Sequence, residues 1–341
     1  MSANAPPSRG LSPDDALPPV EPPNAGFILQ LFIVPGIIVL VVVMIWVMFN
    51  WLAQKGNDRD AFVRALSRNN EARWQAAFNL ANALRAERGS RNPNLTADPE
   101  LARQLADILD REIDGSSLDD NSITLRIYLC RALGEFKVAD GLPALIKAAT
   151  TERDAKEADV RRAGLEGIAL LAANLGPDDD RLADAGPLEQ ALVNAAEDSD
   201  PRIRTVTAVA MGVIGGAKNL ERLRAMLEDT NPDVRYNAAT RLAHHGDLAA
   251  VQTLNEMLDQ DETVGVEIEK NEEMRPFKRA LITLNALRAV GQLAEKSSAA
   301  DLGTLKAAVE KLLSGDATGE IRIEATSALR LLNARGNRSA Q

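Results

Sequence analysis

The segment Arg73-Trp74-Gln75-Ala76-Ala77-Phe78-Asn79-Leu80 returns far downstream as Arg235-Tyr236-Asn237-Ala238-Ala239-Thr240-Arg241-Leu242, with weaker copies around Arg126, Arg161, Arg204 and Arg322. A chain that repeats itself every few tens of residues builds one supersecondary unit many times. It buries apolar surface by stacking each unit on the next instead of gathering it around one centre. Each copy has a helical period. At Asn231 the side-chain amide can cap, Pro232 suits the first helical position, and Val234, Ala238, Ala239 and Leu242 share a face. His244-His245-Gly246 ends that helix, with glycine free to take the left-handed cap. Leu248, Val251, Leu254 and Leu258 then mark a second amphipathic helix. The pattern predicts an all-α chain built as an α-solenoid of antiparallel helix pairs.

The same design opens at Asp200-Pro201-Arg202-Ile203-Arg204, and Arg204 and Arg235 lie 31 residues apart, the length of one short hairpin. Asp233-Val234-Arg235 and Arg202-Ile203-Arg204 resemble the Asp/Val/Arg signature of HEAT repeats, in particular the short bacterial and phycobilin-lyase-type forms. The resemblance implies a HEAT/armadillo-like superhelix in which an Asp and an Arg form a ladder between neighbouring repeats. On that basis the ladder positions are Arg73, Arg126, Arg161, Arg204, Asp233, Arg235 and Arg322, with Asp200 standing near Arg204. Thr283 replaces the arginine in one copy, so the ladder is expected to break there. About seven repeats fit into residues 58–335, leaving 336–341 as a disordered tail. Abundant Ala and Leu with only 4% aromatic residues suit closely packed helices.

Ahead of the repeats stand two different segments. Residues 1–25 contain seven prolines and too little apolar surface to order, so a disordered tail is expected. Residues 26–52 read as a transmembrane helix. Gly26 to Phe49 is an uncharged run of 24 residues. As a helix it reaches about 36 Å, against a hydrocarbon core of about 30 Å. Pro35 is positioned to kink it, and Trp46 and Trp51 sit at the end where indoles favour the interface. Only Arg9 precedes the run, whereas Lys55, Arg59, Arg64, Arg68 and Arg73 follow it. This asymmetry predicts a short outer N-terminus and a cytoplasmic body.

Repeat spacing widens near 87–97, 114–120, 176–186 and 260–276. Insertions in repeat arrays project from one face and carry binding. The last one concentrates Asp261, Glu262, Glu267, Glu269, Glu272 and Glu273, which read either as a solvated acidic loop or as the candidate partner-binding loop. Val264, Val266 and Ile268 alternate there like a short strand.

Chemistry is sparse. The two histidines, His244 and His245, are adjacent and point in different directions on a helix, and Cys130 is the single cysteine, so no metal-site spacing exists. Gly212-Val213-Ile214-Gly215-Gly216-Ala217-Lys218-Asn219 lacks phosphate-loop spacing and reads as a turn between helices. No nucleophile has a plausible histidine partner, so no catalytic, cofactor or metal residue is assigned and the chain is not expected to be an enzyme. A formal net charge of -10 argues against nucleic acid as a partner. The expectation is a membrane-anchored scaffold that binds protein partners on the cytoplasmic face, touching the bilayer through 26–52. A self-associating membrane organiser is one alternative; a phycobilin-lyase-like enzyme, implied only by the resemblance, is another.

Overall fold

A computed structural model describes residues 25–55, 59–68, 72–88, 94–176, 182, 186–297, 302–315 and 317–339. The chain divides into two compact units, Met1–Asp58 and Arg59–Gln341. The tail expected over 1–25 lies outside the described residues, apart from Ala25.

The first unit contains helix α1, Ala25–Lys55, with Pro35 inside it. Its described side chains from 32 to 48 are exposed on every face, among them Phe32, Val39, Met44 and Trp46. Among the described residues no helix is long and apolar enough to cross a membrane. The expected helix over 26–52 is therefore present as backbone, while its spanning role is not shown.

The described helices of the second unit fall into seven consecutive pairs. They are α2 with α3 (Arg59–Ser67, Arg73–Glu87), α4 with α5 (Pro99–Asp114, Asp120–Gly134), and α6 with α7 (Leu142–Thr150, Ala158–Leu175). Next come α8 with α9 (Gly186–Ala196, Pro201–Ile214) and α10 with α11 (Ala217–Met226, Pro232–His244). The sixth pair joins α12 (Val251–Leu258) to α14 (Arg275–Lys296), with the short α13 (Val264–Glu267) between them. The last joins α15 (Gly303–Ser314) to α16 (Gly319–Ser339).

The second helices pack on one another in order, α3 to α5, α7, α9, α11, α14 and α16. Beneath them α2, α4, α6, α8 and α10 pack in succession, and α12 packs on α15. Two layers that each contact only the next pair define an α-solenoid. Small buried side chains, including Ala132, Ala163, Ala208, Ala238, Ala286 and Ala325, line the second-helix layer and let its helices approach closely. Backbone meets backbone closely between α5 and α7. A Cβ on Gly167 would lie 2.7 Å from the Cys130 carbonyl oxygen, and one on Gly134 would lie 2.9 Å from the Gly167 Cα.

Helix starts follow local chemistry. The side chains of Asp98, Asp119, Asp200 and Asn231 each accept from backbone N–H groups of the first turn. Such caps satisfy donors that a helix cannot satisfy itself. Gly215 and Gly216 both have positive φ and form the turn between α9 and α10, where a phosphate loop was discounted.

One expectation needs correction. Residues 264–267 are helical rather than extended. The Val266 and Glu267 N–H groups donate to the Thr263 carbonyl, and Val266 is buried while Val264 and Ile268 are exposed. A strand would have placed all three on one face. The backbone of α16 is helical through Ser339. No proline interrupts this stretch.

Candidate interaction surface

The repeated arginines join adjacent pairs. Arg73 donates to the Leu66 carbonyl at 2.7 Å and pairs with Glu112 at 2.7 Å. Arg126 donates to the Ser117 carbonyl and pairs with Glu157 at 3.1 Å. Arg161 pairs with Asp198, and with Glu152 at 3.1 Å. Arg204 grips both carboxylate oxygens of Asp229, at 2.7 and 2.8 Å, and donates to the Asp198 carbonyl at 2.8 Å. Arg235 pairs with Glu256 at 2.7 Å and donates to the Asp229 carbonyl at 3.0 Å. Arg322, in the last pair, donates to the Leu313 and Gly315 carbonyls, both at 3.2 Å.

In the full rungs one guanidinium closes a carbonyl behind it and meets a carboxylate of the next pair. Its planar fork suits both tasks. The acid lies late in the following first helix or in the connector after it. Asp233 is not the partner of Arg235; it faces Lys278 at 3.2 Å. Asp200 caps α9 and pairs with Arg202 at 2.7 Å. A sequence signal for the true acids exists in Asp198-Ser199-Asp200-Pro201 and Asp229-Thr230-Asn231-Pro232. In both, the first Asp also accepts a backbone N–H two residues on, at 2.8 Å. At Thr283 the arginine is indeed missing. Its hydroxyl donates to the Arg279 carbonyl, and Arg279 reaches the Asp259 carbonyl at 3.1 Å.

Electrostatics follow geometry. Arg126 and Glu157 are each 1% exposed. Burial alone would raise the Glu157 carboxyl, but the Arg153 guanidinium and N–H, with Arg126, hold it at about 2. The Arg204 hydrogen bonds keep Asp229 below the ordinary carboxylate range. A second set of fasteners joins the helix C-termini. Asn174 donates to the Gly134 carbonyl at 3.0 Å, Ser297 donates to the Gly246 carbonyl at 2.9 Å, and His245 Nε2 lies 2.7 Å from the Gly212 oxygen. The adjacent histidines thus end a helix, and His245 serves its neighbour.

The insertions differ in how they are held. Glu87 binds the backbone N–H groups of Asn94, Leu95 and Thr96, each at 2.8 Å. Part of 176–186 lies outside the described residues. The acidic insertion is seated on α11: Val266 is buried, and a Cβ on Gly265 would fall 2.4 Å from the Tyr236 ring. Tyr236 in turn donates to Glu256 at 2.7 Å. Burial, then the Glu256 carboxylate, pushes the Tyr236 phenol upward.

The six candidate acids do not converge on one point. Asp261 lies 3.5 Å from Lys311, Glu272 lies 3.5 Å from Arg275, and Glu262 and Glu269 accept the N–H groups of Val264 and Asn271. Glu267 and Glu273 have exposed side chains. Beside them, Val264, Ile268, Met274, Phe277 and Leu281 are exposed, a feature the acid-centred reading missed. Met274, Phe277 and Leu281 follow helical spacing. Around the base of α14 a cleft of about 690 Å³ is bounded by Leu258, Pro276, Ala280, Leu312 and Ile321, with Asp259 and Lys311 at its polar edge. Among the described residues no group of three His, Cys, Asp or Glu side chains could hold a metal ion.

Residues 189–267 match the family of HEAT repeats, placing the fourth pair, the fifth pair and the start of the sixth in that class. No curated protein matches the chain. Among solved structures, an engineered protein is similar at 18% identity and TM-score 0.39, over 82% of this chain and 98% of its own. The YibA protein of Escherichia coli is similar at 18% identity and TM-score 0.37, over 83% and 96%. Human deoxyhypusine hydroxylase, in complex with glycerol, is similar at 18% identity and TM-score 0.31, over 82% and 97%.

Proposed function

We propose that this protein is a HEAT-like scaffold that binds another protein and does no chemistry of its own. The observation that carries the reading is the sixth pair, where a seated insertion leaves apolar side chains exposed beside acids. Repeat arrays offer extended surfaces, and insertions on one face are where they bind.

We also propose that α1 tethers the scaffold to a bilayer with the body on the cytoplasmic side. The support is the uncharged run of 24 residues from Gly26 to Phe49, its inclusion in a 31-residue helix, and exposed apolar side chains all round. Lys55, Arg59, Arg64 and Arg68 supply the positive flank.

Crosslinking of the tagged full-length protein in its native membrane, followed by mass spectrometry, tests the scaffold. One enriched, stoichiometric partner is the expected result. A spectrum with only the protein itself refutes the scaffold in favour of self-assembly. Extraction with alkaline carbonate tests the tether: the wild type stays with the membrane and Val41→Arg with Ile45→Arg is released. Release of the wild type refutes it.

A further inference from the structure

We infer that the face formed by α13 and the start of α14 docks a basic, amphipathic helical segment of a partner protein, an inference that rests on the scaffold reading above. Met274, just before α14, with Phe277 and Leu281 within it, forms an exposed stripe, and Phe277 is 65% exposed. Val264 and Ile268, both exposed, add apolar surface from the insertion. An exposed apolar stripe on a seated element is what an amphipathic helix covers with its i, i+3, i+7 anchors.

The surrounding charge selects the sign of that helix. Residues 260–276 hold six acids against Lys270 and Arg275, in a chain of net charge -10. Arg275 is already turned onto the Glu269 carbonyl and Glu272, and Lys278 onto Asp233. Glu267 and Glu273 are left exposed beside the stripe for an incoming cation. Anionic lipid is repelled by the same field, and an acidic peptide is too. The surface is also preorganised. Val266 is buried, and Gly265 lies so close to the Tyr236 ring that even a methyl group is excluded, so the insertion sits in place before any partner arrives.

The test uses the full-length chain in phosphatidylcholine nanodiscs, with empty discs subtracted. The probe is a labelled helix of about five turns made of Leu on one face and Lys on the other, compared with a Leu/Glu version. Anisotropy is expected to show binding of the Leu/Lys helix alone. Phe277→Ser with Leu281→Ser should weaken it at least about tenfold, since exposed anchors carry most of such an interface. Glu267→Lys with Glu272→Lys and Glu273→Lys should weaken it as much and flatten its salt dependence. Asp107→Lys with Glu221→Lys and Glu228→Lys, exposed acids elsewhere, should leave it unchanged. Unaltered melting checks that each variant is folded.

Equal binding of both helices, equal loss in the distant triple variant, undiminished binding by the Phe277/Leu281 variant, or no binding by the wild type overturns the inference. Two copies per disc that the Phe277/Leu281 variant reduces to one would make a second copy the occupant, and also overturns it. Crosslinking of the same variant in native membrane separates the two readings. A partner retained by the variant leaves the scaffold standing and removes this surface, whereas no partner for the wild type removes the scaffold.

Discussion

Glu157→Gln tests the ladder where it is most deeply buried. The substitution keeps size and shape but removes the charge facing Arg126, itself 1% exposed. Arg126 would retain only neutral acceptors, the Ser117 and Ser122 carbonyls and an amide oxygen at position 157, and Arg153 would lose its anionic partner at 2.6 Å. Two routes give the magnitude. A carboxyl held at about 2, against an ordinary 4.5, contributes about 3 kcal/mol at neutral pH. Breaking a buried pair by removing one partner costs about 3–5 kcal/mol.

The sign with pH follows. The folded carboxyl is depressed, so its contribution is complete above pH 4.5 and fades as pH falls towards about 2. The difference between wild type and variant should therefore shrink over that window. Urea titration of the full chain measures it, and hydrogen exchange should place the loosening at α5 and α7, because a solenoid couples nearest neighbours. A loss below about 1 kcal/mol at neutral pH, the worth of a surface pair, refutes the argument. So does a difference that does not change between pH 5 and 2. A double variant, Arg126→Met with Glu157→Met, should recover much of the loss.

Three other outcomes follow from the packing. Gly167→Ala places a methyl 2.7 Å from the Cys130 carbonyl oxygen, so denaturation should show a loss of about 1–3 kcal/mol. Asp229→Ala leaves Arg204 without its bidentate partner and Asn231 without a turn acceptor, and should cost more than Asp233→Ala in the same urea assay. Cys130 is fully buried and its thiol is pushed up to about 12 by burial, so alkylation at neutral pH should proceed only as fast as α5 opens. Gly167→Ala should accelerate that labelling, read by mass.

The helical layers were legible because Arg204 and Arg235 start copies with the same apolar spacing, and periodicity survives substitution. The ladder's arginines were legible for the same reason. Their acids were not, because Asp233 stands two residues from Arg235 while the true partner Glu256 is 21 away. Nearness in sequence competes poorly with a fork that points along the stack. The C-terminal fasteners escaped notice because Asn174, His245 and Ser297 share a task but no residue type. Val264, Val266 and Ile268 misled because so short an alternation fits either period. Phe277 and Leu281 were hidden because Leu281-Ile282-Thr283-Leu284 is apolar on too many sides to show which face is buried.

The rungs have a direction. In the full rungs the arginine looks back for a carbonyl and forward for a carboxylate of the next pair, so a helix pair does not hold both members of one rung. The segment that does runs from an arginine to the acid it holds, as from Arg204 to Asp229 or from Arg235 to Glu256. Cutting between such partners strands a guanidinium, whereas Asp198 and Asp229 would keep their turn N–H groups. The natural cassette for lengthening or shortening this protein is thus offset from the hairpin, with its seams beyond the acids and not at the loops between pairs.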